Sequence, residues 1–283
     1  MHGMNLRALP ELTLERHEGV AILTLDNPER LNPITAAQQR GLRALLAEVA
    51  QDRDLRALVL TGAGRAFCAG ADLASPTAGA EGGRSLGQRA ADAMHAVLNR
   101  VVTDLRELPI PVVCAVNGVA AGGGLGYALA GDIVIAARSA SFYLPFMARL
   151  GIVPDVGSSW FYQRLLGTAR ATALTLLGEK LGAEQAAQWG LIWSCVDDDR
   201  LMPEAMSIAR RLAELPAHAA LETRRVFEAA ASNTLPQQLH YEAERQRELL
   251  DRPEFAEGVR ALLEKRAPQF GLMRDGSSAA STG

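Results

Sequence analysis

The sequence has few cysteines, and their spacing excludes several classes of protein. Its 283 residues contain three cysteines, Cys68, Cys114 and Cys195, which are far apart and form no Cys-x-x-Cys pair. An odd number of dispersed cysteines is typical of reduced thiols, and it argues against both a disulfide framework and a cysteine-based metal site. We therefore expect a cytoplasmic protein without a bound metal.

Long apolar runs and a strong net charge are also missing. No apolar run reaches the roughly 18 residues that a membrane-spanning helix needs, and the first residues, MHGMNLRALPEL, lack the apolar core of a secretory signal. The formal net charge is only −3, which does not indicate nucleic acid as a partner. Apolar residues at 48% and charged residues at 22% are typical of a globular protein. We expect neither a membrane nor a nucleic acid as partner.

Three motifs that contain glycine are absent as well. The run AAGGGLG does not satisfy GxGxxG, because the third glycine of the motif would fall on Tyr127 or Leu129. Neither GxxxxGK[ST] nor GxSxG occurs in the chain. These absences argue against a phosphate cradle and against a serine hydrolase.

Strand patterns alternate with helix patterns through most of the chain and predict an α/β fold with parallel strands. Residues 12–25 read as a hairpin turning at His17-Glu18-Gly19, and Thr35 with Gln38 has capping-box spacing before a helix. The further predicted strands are 56–62, 111–118 and 132–137, and the predicted helices are 36–51, 88–107, 203–214, 217–231, 236–250 and 254–266.

This pattern divides the chain into three parts. Residues 1–200 are predicted to form the core, 201–270 a helical C-terminal segment, and 271–283 a disordered tail. Within the core, the small polar residues of 75–87 are typical of a mobile loop.

Two glycine-rich loops follow predicted strands, CAGADL at 68–73 and AAGGGLG at 120–126. One interpretation is that these glycines allow tight packing of a strand against a helix. The other is that they bring backbone N–H groups close to a ligand, where one donor from each loop forms an oxyanion hole. The two interpretations are open at this point.

Asp155 is a lone carboxylate in the stretch LGIVPDVGSSW at 150–160, with no lysine or arginine within five positions. One interpretation is that it caps the next helix or belongs to a turn, since Asp, Pro and Gly favour both. The other is that it transfers a proton in a pocket that excludes water, because burying an unpaired charge is otherwise costly.

Two longer stretches carry a family resemblance. LTGAGRAFCAGADL and AVNGVAAGGGLGYALAGDIVIAARSASF together resemble the crotonase (enoyl-CoA hydratase/isomerase) superfamily, and the resemblance runs from about residue 11 to 270. It implies an α/β spiral of ββα turns followed by a helical C-terminal segment that builds homotrimers, often paired into hexamers. It also implies an acyl-CoA substrate, with no cofactor beyond its CoA thioester.

The resemblance further implies a set of site residues. The oxyanion donors are the backbone N–H groups of Ala71 and Gly123, whereas the two catalytic glutamates of the hydratases are replaced by Gly126 and Phe146. In isomerase branches of the family a single acid stands at the position of Asp155. We expect Ile152, Val153 and Trp160 to surround that carboxylate and to raise its pKa.

The remaining candidates concern substrate binding. The residues that we expect to contact CoA are Arg30, Ala69, Asp72, Leu73 and Lys265. For the two basic residues, an exposed charge without a ligand is the alternative. Tyr143 and Trp160 are candidates for an acyl pocket, with ordinary core packing as the alternative. Asp132, which opens a strand, is expected to be structural.

Three functions are compatible with these features. The first is an acyl-CoA isomerase of fatty acid or phenylacetate catabolism that shifts a double bond or rearranges an epoxide in an unsaturated acyl- or arylacetyl-CoA. It needs one carboxylate as proton shuttle. The second is a weak or promiscuous enoyl-CoA hydratase. The third is a CoA-binding structural protein without catalytic activity.

Overall fold

The computed structural model describes residues 6–72 and 83–270. Leu73, most of the predicted 75–87 loop and the predicted tail at 271–283 lie outside these residues. The strands of the described ranges are β1 (Arg7–Leu9), β2 (Leu12–His17), β3 (Val20–Leu25), β4 (Ala57–Gly62), β5 (Ala66–Cys68), β6 (Val112–Val116), β7 (Val119–Ala121), β8 (Ile133–Ala137), β9 (Ser141–Tyr143), β10 (Leu181–Gly182) and β11 (Ser194–Val196).

The strands form two sheets. The larger sheet has the order β1-β2-β3-β4-β6-β8-β11, and its strands run parallel from β3 onward, after the antiparallel pairs β1-β2 and β2-β3. The smaller sheet has the order β10-β9-β7-β5, in which β5, β7 and β9 are parallel. The prediction of parallel strands is confirmed, and so is the hairpin formed by β2 and β3.

Consecutive strands alternate between the two sheets. β4, β6 and β8 belong to the larger sheet, and the strand that follows each of them, β5, β7 or β9, belongs to the smaller one. A helical stretch follows each such pair, so the chain advances as a spiral of ββα turns. The helices are α1 (Ala36–Gln51), α2 (Leu86–Ala93), α3 (Asn99–Glu107), α4 (Gly123–Leu129), α5 (Ser158–Leu166), α6 (Thr168–Leu177), α7 (Ala183–Gln188), α8 (Leu201–Ala213), α9 (Ala219–Ala230), α10 (Leu235–Leu250) and α11 (Pro253–Leu263).

Short stretches of other helix types complete the chain. π-Helical turns occupy Met94–Leu98, between α2 and α3, and Phe146–Leu150, after β9. 3₁₀ turns occupy Pro28–Arg30 and Asp198–Arg200. The turn at Phe146–Leu150 leads directly into the segment that carries Asp155, so it sets the direction in which that segment starts.

The start of α1 is only partly as predicted. The Thr35 hydroxyl accepts the backbone N–H of Gln38 at 3.0 Å, as a cap requires. The Gln38 side chain does not return the second bond of a capping box, because it is buried in the core and its amide atoms have no partner among the described residues. Tertiary packing of α1 therefore outweighs one local hydrogen bond.

The C-terminal segment is helical, as predicted, but its first helix belongs to the core. α8 packs on β4 and β6 of the larger sheet, and Leu201, Ala205 and Ile208 are buried in the same apolar cluster as those strands. The predicted division at residue 200 therefore does not coincide with a break in packing.

Arg224 attaches the next helix, α9, to the core. Its guanidinium is almost fully buried and donates to both carboxylate oxygens of Asp132, at 2.7 and 2.6 Å. It also donates to the carbonyl oxygens of Arg106, Leu108 and Ile110. Asp132 accepts the N–H of Val112 in addition. A structural role for Asp132 agrees with this network.

Candidate active site

Two asparagines fix the loop that runs from β4 to Ala71. The Asn32 side chain is fully buried and donates to the carbonyl oxygens of Ala63 and Ala66 at 2.9 and 2.8 Å. Asn117 accepts the N–H of Gly62 and donates to the carbonyl of Ala66. Sequence reasoning missed both asparagines. Because they satisfy backbone groups that would otherwise be buried without partners, they hold the loop in one conformation.

The two glycine-rich loops contact each other through their backbones. A Cβ at Gly70 would lie 2.7 Å from the carbonyl oxygen of Ala121 and 3.4 Å from the Cα of Gly122, so only glycine allows this approach. Gly70 also has φ of 88°, which favours glycine. Ala71 directly follows Gly70, and Gly123 directly follows Gly122. These two residues are the predicted oxyanion donors. The structure therefore brings these two residues to one place.

Asp155 starts a tight turn rather than capping a helix. Its carbonyl accepts both the N–H of Ser158 at 2.9 Å and the Ser158 hydroxyl at 2.6 Å. The N-cap residue of α5 is Gly157, and no side chain caps that helix. Val156 and Gly157 have φ of 51° and 74°. Positive φ at both central positions is the signature of a type I′ turn, which is strained for valine because it is β-branched.

The Asp155 carboxylate is half-buried and has no cationic partner in the part of the chain that the structure describes. One of its oxygens, Oδ1, is buried without a hydrogen-bond partner among the described residues. Burial raises the pKa of Asp155 to about 6, opposed by a hydrogen bond from its own backbone. A carboxylate with such a pKa changes protonation close to neutral pH, which suits a group that both accepts and returns a proton.

The surroundings expected for Asp155 are wrong. Ile152, Val153 and Trp160 are 49%, 70% and 42% exposed. Trp160 stacks under the guanidinium of Arg164 at 4.0 Å and lines a cavity of about 720 Å³, and Asp155, Ala71 and Gly123 are not among the residues that line it. Side chains exposed to this extent are not the main source of the burial that raises the pKa of Asp155.

The two positions where hydratases carry glutamate both lie at the site. The ring of Phe146 is buried and lies 3.6 Å from the position of a Cβ at Gly122. At Gly126 a Cβ would lie 3.0 Å from the carbonyl carbon of Val156 and closer still to its oxygen. A glutamate at position 126 therefore requires the Asp155 turn to move.

Tyr127 is a further residue at this site that sequence reasoning missed. It lies on α4 and is fully buried, and its hydroxyl has no partner among the described residues. Burial raises the pKa of Tyr127 well above its ordinary value, and the charges of Cys68 and Asp155 add to the effect. The hydroxyl is thus near enough to Asp155 to interact with it electrostatically. A tyrosine inside an apolar helix gives no sequence signal for this.

The residues predicted to bind CoA are only partly brought together. Arg30 forms an ion pair with Asp72 at 2.6 Å, and its side chain is 47% exposed. The backbone N–H of Ala69 donates to the carbonyl oxygen of Leu31, the residue after Arg30. Lys265 is exposed and follows α11 with φ of 55°, whereas Leu73 lies outside the described residues. Their contacts with CoA stay predictions.

Tyr143, the other candidate for an acyl pocket, has a defined structural role in its main chain. Its carbonyl accepts the N–H of Gly122 at 2.9 Å, which joins β9 to the second glycine-rich loop. Its half-buried ring faces Lys180, whose Nζ lies 5.8 Å from the ring centre. A contact between this ring and an acyl group stays a prediction.

The fold is shared with proteins of known family. Residues 15–272 match the family described as Enoyl-CoA hydratase/isomerase. The chain belongs to this family, whose substrates are acyl-CoA thioesters. It is therefore an enzyme of the hydratase/isomerase type, with the crotonase fold expected from the resemblance.

Individual relatives carry both kinds of name. A 1,2-epoxyphenylacetyl-CoA isomerase of Escherichia coli strain K12 is 46% identical over 89% of this chain and 95% of its own length. A probable enoyl-CoA hydratase of Rhodobacter capsulatus is 43% identical over 90% of this chain and 96% of its own length. The crystal structure of an enoyl-CoA hydratase from Polaromonas sp. JS666 superposes with a TM-score of 0.84 at 32% identity, covering 91% of this chain and 98% of that chain.

Within the part of the chain that the structure describes, no helix is both long enough and apolar enough to span a membrane.

Proposed function

We propose that this enzyme is an acyl-CoA isomerase in which Asp155 is the only catalytic carboxylate. The observation that carries the proposal is the state of that side chain. It is half-buried, one oxygen has no partner among the described residues, and its pKa is raised to about 6. The E. coli relative named as an isomerase of an epoxidised arylacetyl-CoA supports this assignment and suggests the substrate class.

The first step is the formation of an enolate from the thioester. The carbonyl oxygen of the substrate accepts the N–H groups of Ala71 and Gly123, which stabilise the negative charge as a proton leaves the neighbouring carbon. Loss of one such donor typically costs about 10²–10³-fold in rate. The backbone contact between Gly70 and the second glycine-rich loop supports the convergence of these donors.

The second step returns the proton elsewhere in the enolate system. A carboxylate that accepts a proton from one carbon and donates it to another completes a double-bond shift, so one base is sufficient. For an epoxidised substrate whose C–O bond lies beta to the thioester carbonyl, the electron pair of the enolate breaks that bond, and the alkoxide that forms takes the proton that Asp155 accepted. Addition of water needs a second group to position and deprotonate the water, and Gly126 and Phe146 offer none. The chemistry requires no cofactor beyond the CoA thioester.

Deuterium exchange tests the enolate without knowledge of the acyl group. A saturated acyl-CoA incubated with the enzyme in D₂O should exchange the hydrogens next to the thioester carbonyl, followed by mass spectrometry. The rate should rise with pH through about 6, because Asp155 must be deprotonated to act as the base. Absence of exchange at every pH would favour the CoA-binding protein without catalytic activity.

A panel of thioesters then separates isomerase from hydratase. Unsaturated and epoxidised alkyl- and arylacetyl-CoAs should give rearranged products, detected by absorbance and chromatography. Crotonyl-CoA should be hydrated only slowly. Hydration of crotonyl-CoA at the rate of a dedicated hydratase would overturn the proposal in favour of the second function.

We also propose that the chain forms a homotrimer or a pair of trimers. Large apolar side chains of the C-terminal segment support an interface there, since Phe227, Leu262 and Leu263 are each more than 70% exposed. Light scattering after size-exclusion chromatography tests this, and a monomeric mass would contradict it.

A further inference from the structure

Helix α4 contacts the Asp155 turn through glycines. Gly123 and Gly126 lie three residues apart and therefore on one face of the helix. A Cβ at Gly123 would lie 2.9 Å from the Cγ2 of Val156, and a Cβ at Gly126 would lie 3.2 Å from the Cβ of Val156. The turn is thus in backbone contact with the helix that provides one oxyanion donor.

The contact at Gly126 is with main chain, which has no rotamers by which to move aside. The Val156 carbonyl occupies the space that any side chain at position 126 would take. Val156 itself is buried and has φ of 51°, a conformation that is strained for a β-branched residue. Such strain persists only where the surrounding structure enforces it, and here the packing against α4 does so.

We propose that Gly126 is a positioning residue for Asp155. By lacking a Cβ it allows the Val156 carbonyl to rest on α4, and this contact fixes the carboxylate relative to the Gly123 N–H. The inference rests on the proposed function, in which Asp155 is the base. It goes further because it explains how one small residue both excludes a glutamate and aims the carboxylate that replaces it.

The decisive variant is Gly126→Ala, whose methyl group pushes the turn away from α4. The turnover number kcat should fall by about 100-fold, since a displacement of about 1 Å at a reacting group has an effect of that size. KM should change little, because the CoA-binding residues are not touched. Unfolding measurements on the same preparation confirm that the variant is folded.

Gly131→Ala is the matched control. Its Cβ would lie 2.7 Å from the Cys114 Sγ, so it introduces a clash just beyond the end of α4 whose nearest atoms belong to Cys114 and not to Val156. This variant should lose stability but keep kcat within about threefold of the unaltered enzyme. A loss of kcat equal to that of Gly126→Ala would show that any strain near α4 is sufficient, and would overturn the proposal.

Titration of the Asp155 carboxyl group by carbon NMR is a readout that a merely structural role would not change. The resonance is identified by its absence in Asp155→Asn. The carboxyl should titrate near pH 6 in the unaltered enzyme and in Gly131→Ala. In Gly126→Ala the turn is lifted into solvent and the pKa should return toward its ordinary value. An unchanged titration would contradict the proposal.

This readout also separates the two proposals. If the unaltered enzyme isomerises no thioester, the proposed function fails, but the titration still decides whether Gly126 positions Asp155. If Gly126→Ala does not fold, Val156→Gly replaces it, because glycine adopts φ of 51° without strain and loosens the turn. It should lower both kcat and the carboxyl pKa, and unchanged values of both would overturn the inference.

Discussion

Asp155 and Asp132 are two carboxylates in opposite situations. Asp132 lies at the junction of the core and α9, where Arg224 donates to both of its oxygens. Asp155 lies in a strained turn, has no ion pair with any described residue, and keeps one oxygen buried without a partner. Both lie in apolar stretches of the sequence, yet only the charge of Asp132 is balanced by a cation.

The difference is the one expected between a structural carboxylate and the base that we propose. A carboxylate that is paired with a buried cation has its charge balanced, so it stabilises a contact between two parts of the fold. A buried charge without a partner is costly and has a raised pKa, so it is ready to accept a proton. The unpaired carboxylate of Asp155 lowers the stability of the folded chain, which is expected of a functional position.

Exchange of each carboxylate for an amide gives the largest expected contrast. Asp155→Asn should lower isomerisation and deuterium exchange by about 10³-fold, because it removes the base and retains the shape. Asp132→Asn should leave both rates within a few-fold and lower the temperature of unfolding instead. Equal activity of Asp155→Asn and the unaltered enzyme would refute the assignment of the base.

Removal of the Arg224 guanidinium tests the structural role of Asp132. Arg224→Met should lower the free energy of unfolding by about 3 kcal/mol, since three carbonyl groups lose their guanidinium donor and Asp132 keeps the N–H of Val112 but loses its bidentate partner. Chemical denaturation measures this. A folded Arg224→Met enzyme should keep its kcat, and a loss of activity without a loss of stability would show that the two regions are coupled.

The contribution of Asp155 to stability should depend on pH with the opposite sign to that of an ordinary paired carboxylate. Burial raises the pKa of Asp155 from 3.8 to about 6 in the folded chain. Between these values the folded chain binds a proton that the unfolded chain has released, so the stability contributed by Asp155 falls as pH rises.

Asp155→Asn removes this penalty. It should stabilise the protein by about 1 kcal/mol at about pH 8, allowing for partial exposure, and have little effect at about pH 4. Thermal unfolding at the two pH values checks this. An equal shift at both would indicate that the carboxylate is not desolvated.

The smallest expected effect concerns Tyr127. Tyr127→Phe removes a buried hydroxyl without a described partner, so the free energy of unfolding should change by less than about 1 kcal/mol, and toward higher stability. Denaturation against Tyr162→Phe, another buried tyrosine, provides the reference. A clear loss of stability on Tyr127→Phe would mean that the hydroxyl is hydrogen-bonded in solution.

Much of the fold could be predicted from local patterns. The hairpin, the parallel strands and the C-terminal helices follow from apolar periodicity and from turn residues, which act over a few positions. The boundary at residue 200 has no counterpart in the packing, because the amphipathic pattern of α8 does not reveal that its apolar face packs on the larger sheet. The capping-box hydrogen bond predicted for the Gln38 side chain is missing for the same reason, since burial of that side chain outweighs a local cap.

The residues proposed for the site came from the sequence, whereas the environment of Asp155 could not be predicted from it. Ala71, Gly123 and Asp155 were identified through family motifs, and the structure brings their segments together through Gly70 and Val156. The apolar neighbours expected around Asp155 are exposed instead. Asn32, Asn117 and Tyr127 were missed, because hydrogen bonds and close approaches between distant segments leave no pattern in the sequence.

The sequence by itself determined which residues are available: the glycines of the two loops, the absence of both hydratase glutamates, and one remaining acid at Asp155. Only the tertiary structure decided what that acid experiences. Desolvation and pairing depend on the groups that pack around a charge in space, and the turn that carries Asp155 packs on α4 through Val156.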